Sequence, residues 1–177
     1  MLKALVVLAV GLAAQVKVPT GLPPIERYGV GSVVIGADAQ QVYDAFAGRR
    51  ELVDLGYEGM LTPALLLRFV GLTQRDGVVA ELDSGSLGLV VWRIEIRDPA
   101  FRTVKGIGVG STVGQLKSAY PLDAVLSGEG SVAIRVKALS ASFELDQTGP
   151  DGSKLSGIRD PALVPASVTI RSVLLTR

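Results

Sequence analysis

The chain has 177 residues, with 18 Lys and Arg against 17 Asp and Glu, no histidine and no cysteine. The two absences exclude disulfides, zinc fingers, His-ligated metals and Ser-His-Asp or Cys-His catalysis, so any enzyme here must use carboxylates, Lys, Tyr or Ser. The 12 Arg are scattered singly apart from Arg49-Arg50, and no basic stripe offers itself to nucleic acid or an anionic membrane.

Residues 1–14 open the chain with Met1-Leu-Lys3 and an apolar run from Ala4 to Ala14. One cation, an apolar stretch and then small residues before Gln15 make the pattern of a secretory signal peptide. The run is shorter than the roughly 20 residues of a membrane span. Gly11 and Ala13 supply the small side chains for cleavage after Ala13, with Ala14 the alternative. A periplasmic or secreted protein is expected, lacking the cysteine that would lipidate it. Loss of Lys3 leaves 17 basic against 17 acidic residues. The remainder is one or two domains in size and long enough to close a core without disulfides.

Residues 15–28 read as a linker marked by Pro19, Pro23 and Pro24. A pattern then appears over 29–98 and recurs over 99–177. At a constant offset of 74, Ile35 meets Val109, Gly36 meets Gly110, Gln41 meets Gln115, Val42 meets Leu116, Ala45 meets Ala119 and Phe46 meets Tyr120. In each copy an apolar strand ends at a Gly, and Asp38 or Thr112 sits three residues before a Gln, the spacing of a capping box. The apolar residues that follow fall at i, i+3 and i+4, one face of a short helix. Gly48 and Pro121 should end the two helices.

Strand patterns follow each helix. In the first half they cover Leu65–Leu72, Val78–Leu82 and Leu89–Arg97, where Trp92, Ile94 and Ile96 alternate with charged residues. This alternation puts Trp92 on the apolar side of its strand, which points to core packing, with ligand stacking as the alternative. In the second half Val132, Ile134 and Val136 alternate with smaller or charged residues, Phe143 and Leu145 do the same, and Val168–Leu175 closes the chain. The segment Arg50–Pro63 has no clear period, with Glu51–Leu55 readable as a helical turn. The expected fold is α+β, two similar halves each of strand, helix and about three antiparallel strands, which can pack as one domain.

The chemistry-bearing motifs are sparse. Gly106-Ile-Gly108-Val-Gly110-Ser111-Thr112 precedes a helix but lacks both the GxGxxG and the GKS/T spacing. A strand-to-helix turn and an anion site at the helix start both remain open. Ser84, Ser86 and Ser111 lack a nucleophile elbow or a base. Asp44, Asp54, Asp83, Glu95 and Asp98 could supply an acid–base pair only if two of them converge. The acidic turns at Asp146–Gly152 and Gly157–Pro161 bound a long loop, 147–166, without calcium spacing. That loop reads as a binding surface or a connector. No catalytic, metal-ligating or cofactor-binding residue is assigned, and no cofactor is expected.

The run Arg93–Asp98, then Gly106–Gly110, Leu116–Tyr120, Gly149–Gly152 and the Val168–Leu175 strand together are similar to the sigma-E-regulated lipoproteins of the bacterial envelope, grouped as a domain of unknown function. The similarity spans residues 29–177 and is best from 90 to 177. It implies an α+β envelope domain with no assigned activity, while the missing lipidation cysteine departs from the pattern. The helix-plus-sheet repeat also looks like envelope assembly factors and secreted β-lactamase inhibitor proteins. The expectation is a non-enzymatic exported module that binds another envelope component. The alternatives are a secreted enzyme inhibitor, which requires an exposed aromatic and Arg cluster on one sheet face, and a carboxylate-based hydrolase.

Overall fold

The computed structural model describes residues 21–57, 60–69, 77–86, 88–128, 130–149 and 151–177. The signal-peptide reading at 1–14 and the start of the linker lie outside them. Three short strands, β1 (Ile25–Glu26), β2 (Gly29–Val30) and β3 (Val33–Val34), form a small sheet. Helix α1 (Ala39–Ala45) leads into β4 (Gly48–Tyr57), β5 (Met60–Phe69), β6 (Val78–Gly85) and β7 (Gly88–Ile96). Helix α2 (Val113–Ala119) leads into β8 (Ala124–Gly128), β9 (Ser131–Val136), β10 (Ala141–Leu145) and β11 (Ile170–Leu175). The last eight strands make one antiparallel sheet in the order β4-β5-β6-β7-β11-β10-β9-β8. The class is α+β.

The helices form where their caps dictate. Thr112 accepts from the Gln115 amide at 3.2 Å, and the Gln115 side chain accepts from the Thr112 amide at 2.8 Å, a complete capping box. At α1 the Asp38 carboxylate accepts from the Gln41 amide at 2.9 Å, and the reciprocal bond is not made. The helices, their N-caps and their C-caps Phe46 and Tyr120 lie 74 residues apart in sequence. They end at those aromatic residues, short of Gly48 and Pro121.

One row of cross-strand partners spans the whole sheet: Arg50, Leu67, Val78, Ile96, Val173, Phe143, Ile134 and Val125. From Leu67 to Ile134 each side chain of this row is fully buried. They share one core with Val42 and Phe46 from the α1 side and Leu116 and Tyr120 from the α2 side. Phe46, Phe69 and Phe101 meet edge to face, with centroids 4.6 and 4.8 Å apart, tying α1 to the segment between the meanders.

Several elements differ from the sequence reading. Glu51–Leu55 is the middle of the edge strand β4, not a helical turn. Strand β8 was absent from that reading, and both edge strands lack a clean period because an edge is half solvated. Residues 107–110 make no strand; their chain is fixed by turns and by the Gly110 amide on the Ile170 carbonyl at 2.8 Å. Part of the linker belongs to the folded body, since Ile25 in β1 is buried and its amide bonds the Arg102 carbonyl at 2.8 Å. The reading of a strand to Leu72 runs past Phe69 into residues outside those described.

Candidate binding face

The opposite face of the sheet carries a second row: Glu51, Leu66, Val79, Glu95, Leu174, Ser142, Arg135 and Ala124. Beside it Ala64, Glu81 and Arg93 stand opposite one another on β5, β6 and β7. Three carboxylate–guanidinium pairs mark this outer face. Arg93 donates twice to Glu81, at 2.8 and 2.6 Å. Arg97 donates to Glu95 at 2.6 Å, and Arg171 donates to Glu144 at 2.6 Å, with the Ser172 hydroxyl on the same carboxylate at 2.8 Å. The Glu81 side chain is 1% exposed and that of Arg93 25%. This is a bidentate pair, the strong geometry for these groups.

Both central strands of the sheet carry a β-bulge. On β7, Glu81 faces Arg93 while Leu82 faces Val91, so Trp92 is an extra residue. On β11, Glu144 faces Ser172 while Leu145 faces Ile170, so Arg171 is extra. A bulge sets two residues against one and breaks the alternation of faces. Val91 and Ile94 are therefore both buried, and Trp92 is 41% exposed. The core position expected for Trp92 is overturned. Its ring lies against the Arg93 guanidinium, 4.7 Å from ring centroid to Cζ, a cation–π contact.

A cleft of about 320 Å³ adjoins Trp92, lined also by Ile35, Gly36, Val90, Val91, Thr176 and Arg177. Gly36 has φ 91°, a backbone conformation that favours glycine, and the Arg177 guanidinium lies against it. Next to Arg177, Arg27 covers the Tyr28 ring at 4.8 Å and donates to the Ser140 hydroxyl at 3.4 Å. The Ser140 hydroxyl bonded to Tyr28, reinforced by Arg27 and Arg177, holds the phenol below its ordinary value of 10.0 against a smaller opposing effect of burial. Tyr28 and Ser140 both have positive φ, 71° and 48°, a conformation that non-glycine residues adopt only under constraint from their surroundings. Arg27, Tyr28, Trp92, Arg93 and Arg177 thus form a continuous aromatic and cationic cluster.

A second cleft, about 500 Å³, lies beside α1 and is lined by Asp38, Tyr43, Leu52, Leu65, Leu82 and Leu89 among others. It is mostly apolar, and Leu52 on its rim is 61% exposed.

The other sequence candidates fall into structural roles. In the 106–112 loop the amides of Gly106, Ile107, Gly108, Gly110, Ser111 and Thr112 are all bonded inside the protein, as are those of Val113, Gly114 and Gln115. With those donors spent, the loop is a turn and the anion-site reading fails. Ser111 is buried and its hydroxyl takes the Gly108 amide and Arg102 at 3.1 and 3.0 Å. Ser84 and Ser86 lie at the β6–β7 turn.

The five carboxylates are spread over the fold. Asp44 accepts from Gln40 on α1, Asp54 is exposed on β4 and Asp83 binds the Ser84 amide. Glu95 is paired on the outer face. Asp98 is buried and holds the Ala100 amide at 2.8 Å, its other oxygen without a hydrogen-bond partner. Among the described residues no three or more Asp or Glu group as a metal site would. The 147–166 loop is pinned down: Leu155 and Val164 are buried, and Lys117 of α2 donates to the Ala162 and Val164 carbonyls at 3.0 and 2.8 Å.

Fold and site together define an α+β protein whose sheet turns one face to the main core and carries Trp92 and three ion pairs on the other, where Ala64, Val79 and Glu81 are themselves buried. No protein-family model and no curated protein matches the chain. Among solved structures, the crystal structure of the uncharacterized protein yfeY from Escherichia coli is similar. It matches with a TM-score of 0.58 and 14% identity, over 87% of this chain and 99% of that one. The likeness is one of fold.

Proposed function

We propose that this chain is an exported, non-catalytic module that binds another protein of the cell envelope through the outer sheet face around Trp92. The observation that carries the reading is the bulge that turns Trp92 and Arg93 outward over a buried carboxylate. Trp and Arg on a rigid strand, beside a cleft and ringed by polar pairs, are the residues in which binding energy concentrates at protein interfaces. The guanidinium groups of Arg27 and Arg177, beside an Arg93 charge that Glu81 balances, favour an acidic partner surface. Export rests on the pattern of residues 1–14.

The two halves are read as an internal duplication. Supporting this are the 74-residue spacing of helices and caps, and a strand order in which each helix-plus-meander contributes four neighbouring strands. A secreted enzyme inhibitor is the second reading, favoured by the same aromatic and Arg cluster, and it differs only in the identity of the partner.

Capture of tagged protein from cross-linked envelope and medium fractions, with mass spectrometry of the eluate, tests the proposal. A single saturable partner that Trp92→Ala loses would support it. No partner, or equal capture by wild type and W92A, would overturn it.

A further inference from the structure

We propose that the β4 edge is self-complementary, and that two copies of this chain join their sheets through it, antiparallel, about a twofold axis at Leu52. This surface is separate from the Trp92 cluster.

The two ends of the sheet are unlike. Strand β8 is five residues long, and loop side chains bond beside it: Arg159 donates to the Ser127 hydroxyl at 3.2 Å and Gln147 to the Gly130 carbonyl at 2.7 Å. Strand β4 is ten residues long and terminal in the sheet. A long terminal strand offers a row of unpaired backbone groups, which proteins usually guard. Beyond Ala64 the β4–β5 pairing continues while the β5–β6 pairing stops, so the hairpin projects as a two-stranded ribbon. Leu52 and Leu61 on these strands are 61% and 73% exposed. Such ribbons are marginal in water without a further strand or a packed face.

The occupant follows from register. In an antiparallel ladder, residues that point their backbone groups outward alternate along a strand, and opposed residues must both do so or both not. Two copies of one strand therefore pair only when opposed residue numbers sum to an even value. Centring on Glu51 sets two carboxylates face to face, and centring on Val53 sets Leu52 against Asp54. Centring on Leu52 sets Leu52 on Leu52, Glu51 on Val53, Arg49 on Leu55 and Arg50 on Asp54, the last pair occurring twice by symmetry. This register alone opposes the charges favourably and brings no like charges together. Asp54 is exposed, and among the described residues its carboxylate enters no hydrogen bond or ion pair. Leu52 also rims the 500 Å³ cleft, so the clefts of the two copies meet at the axis.

The absence of cysteine makes a direct test available. Leu52→Cys should give a disulfide-linked dimer on mild oxidation, because opposed residues in this register have Cα atoms about 4.5–5.5 Å apart, within disulfide reach. Glu51→Cys and Val53→Cys, which face other residue types across the axis, should cross-link at least several-fold less. In sedimentation equilibrium the wild type should approach twice the chain mass as concentration rises, and Asp54→Arg should remain monomeric. The exchange of both charges, Arg50→Asp with Asp54→Arg, should restore the dimer. Arg50 also donates to the Phe46 carbonyl at 2.8 Å and lies over the Tyr43 ring, so the cysteine result stands independently if the exchange variant does not fold. A wild type that stays monomeric at all concentrations, or cross-linking that is equal at positions 51, 52 and 53, would overturn the proposal.

Discussion

Arg93 and Glu81 stand directly opposite each other on β7 and β6 and share two hydrogen bonds, while only the arginine reaches solvent. That asymmetry sets the cost of breaking them. Arg93→Met should destabilise the fold by about 3–5 kcal/mol, since it takes the guanidinium from a buried carboxylate. Glu81→Gln should cost less, because the amide oxygen still accepts and the arginine keeps its access to water. Urea denaturation of the two variants checks the order; a reversed order would mean the arginine is the buried member.

Trp92 is the one tryptophan of the chain, so its fluorescence reports a single environment. Its emission should be quenched readily by acrylamide in the free protein and protected when a partner covers the outer face. Trp92→Ala should cost about 0.5–1 kcal/mol, the worth of its cation–π contact with Arg93 at a partly exposed site. A tryptophan shielded from quencher in the free protein would contradict its placement on the bulge.

The two helix starts differ in one bond, and their variants should differ with it. Thr112→Ala should cost about 1–2 kcal/mol, having lost the cap and freed Gln115 from its reciprocal bond. Asp38→Ala should cost about 0.5–1 kcal/mol, the price of a single capping interaction. Thermal unfolding of both proteins measures the difference.

Ser140→Gly keeps the left-handed backbone and removes the hydroxyl that Arg27 and Tyr28 share. The Tyr28 phenol should then titrate closer to 10.0 than in the wild type. The sign for stability follows from linkage: with its folded value lowered, Tyr28 favours the folded state fully only above the unfolded value, and that contribution disappears as pH falls through the folded value. Ultraviolet titration of wild type and Ser140→Gly, each compared with its Tyr28→Phe counterpart, isolates the phenol.

The helices were legible because caps and i, i+3, i+4 spacing are local properties, and both helices lie where Asp38 and Thr112 mark them. Strands β6, β9 and β10 were legible because their core-facing residues over Val78–Leu82, Val132–Val136 and Ala141–Leu145 are all buried. Strand β4 was not, since Arg50, Leu52 and Asp54 share a face that is only half covered at the sheet edge. The binding face was hidden for a different reason. A bulge leaves no trace in alternation, so Trp92 read as one more inward residue beside Ile94 and Ile96. The available signal was Glu81, a lone carboxylate inside the apolar run Val78–Leu82, which needed a cationic partner on a neighbouring strand.

The seam between the two meanders is made by β7 and β11 alone, over the pairs Ile96 with Val173, Glu95 with Leu174 and Ile94 with Leu175. Strand β7 ends at Ile96 and β11 starts at Ile170, some seventy residues later. At translation rates of about 5–20 residues per second, the edge of β7 waits roughly 4–15 seconds for its neighbour to be synthesised. Throughout that interval its Val91, Ile94 and Ile96 side belongs to an unfinished sheet, open to any strand that arrives first. Pairing of β7 with β11 is thus a late event of synthesis, set by the place of Ile170 in the chain.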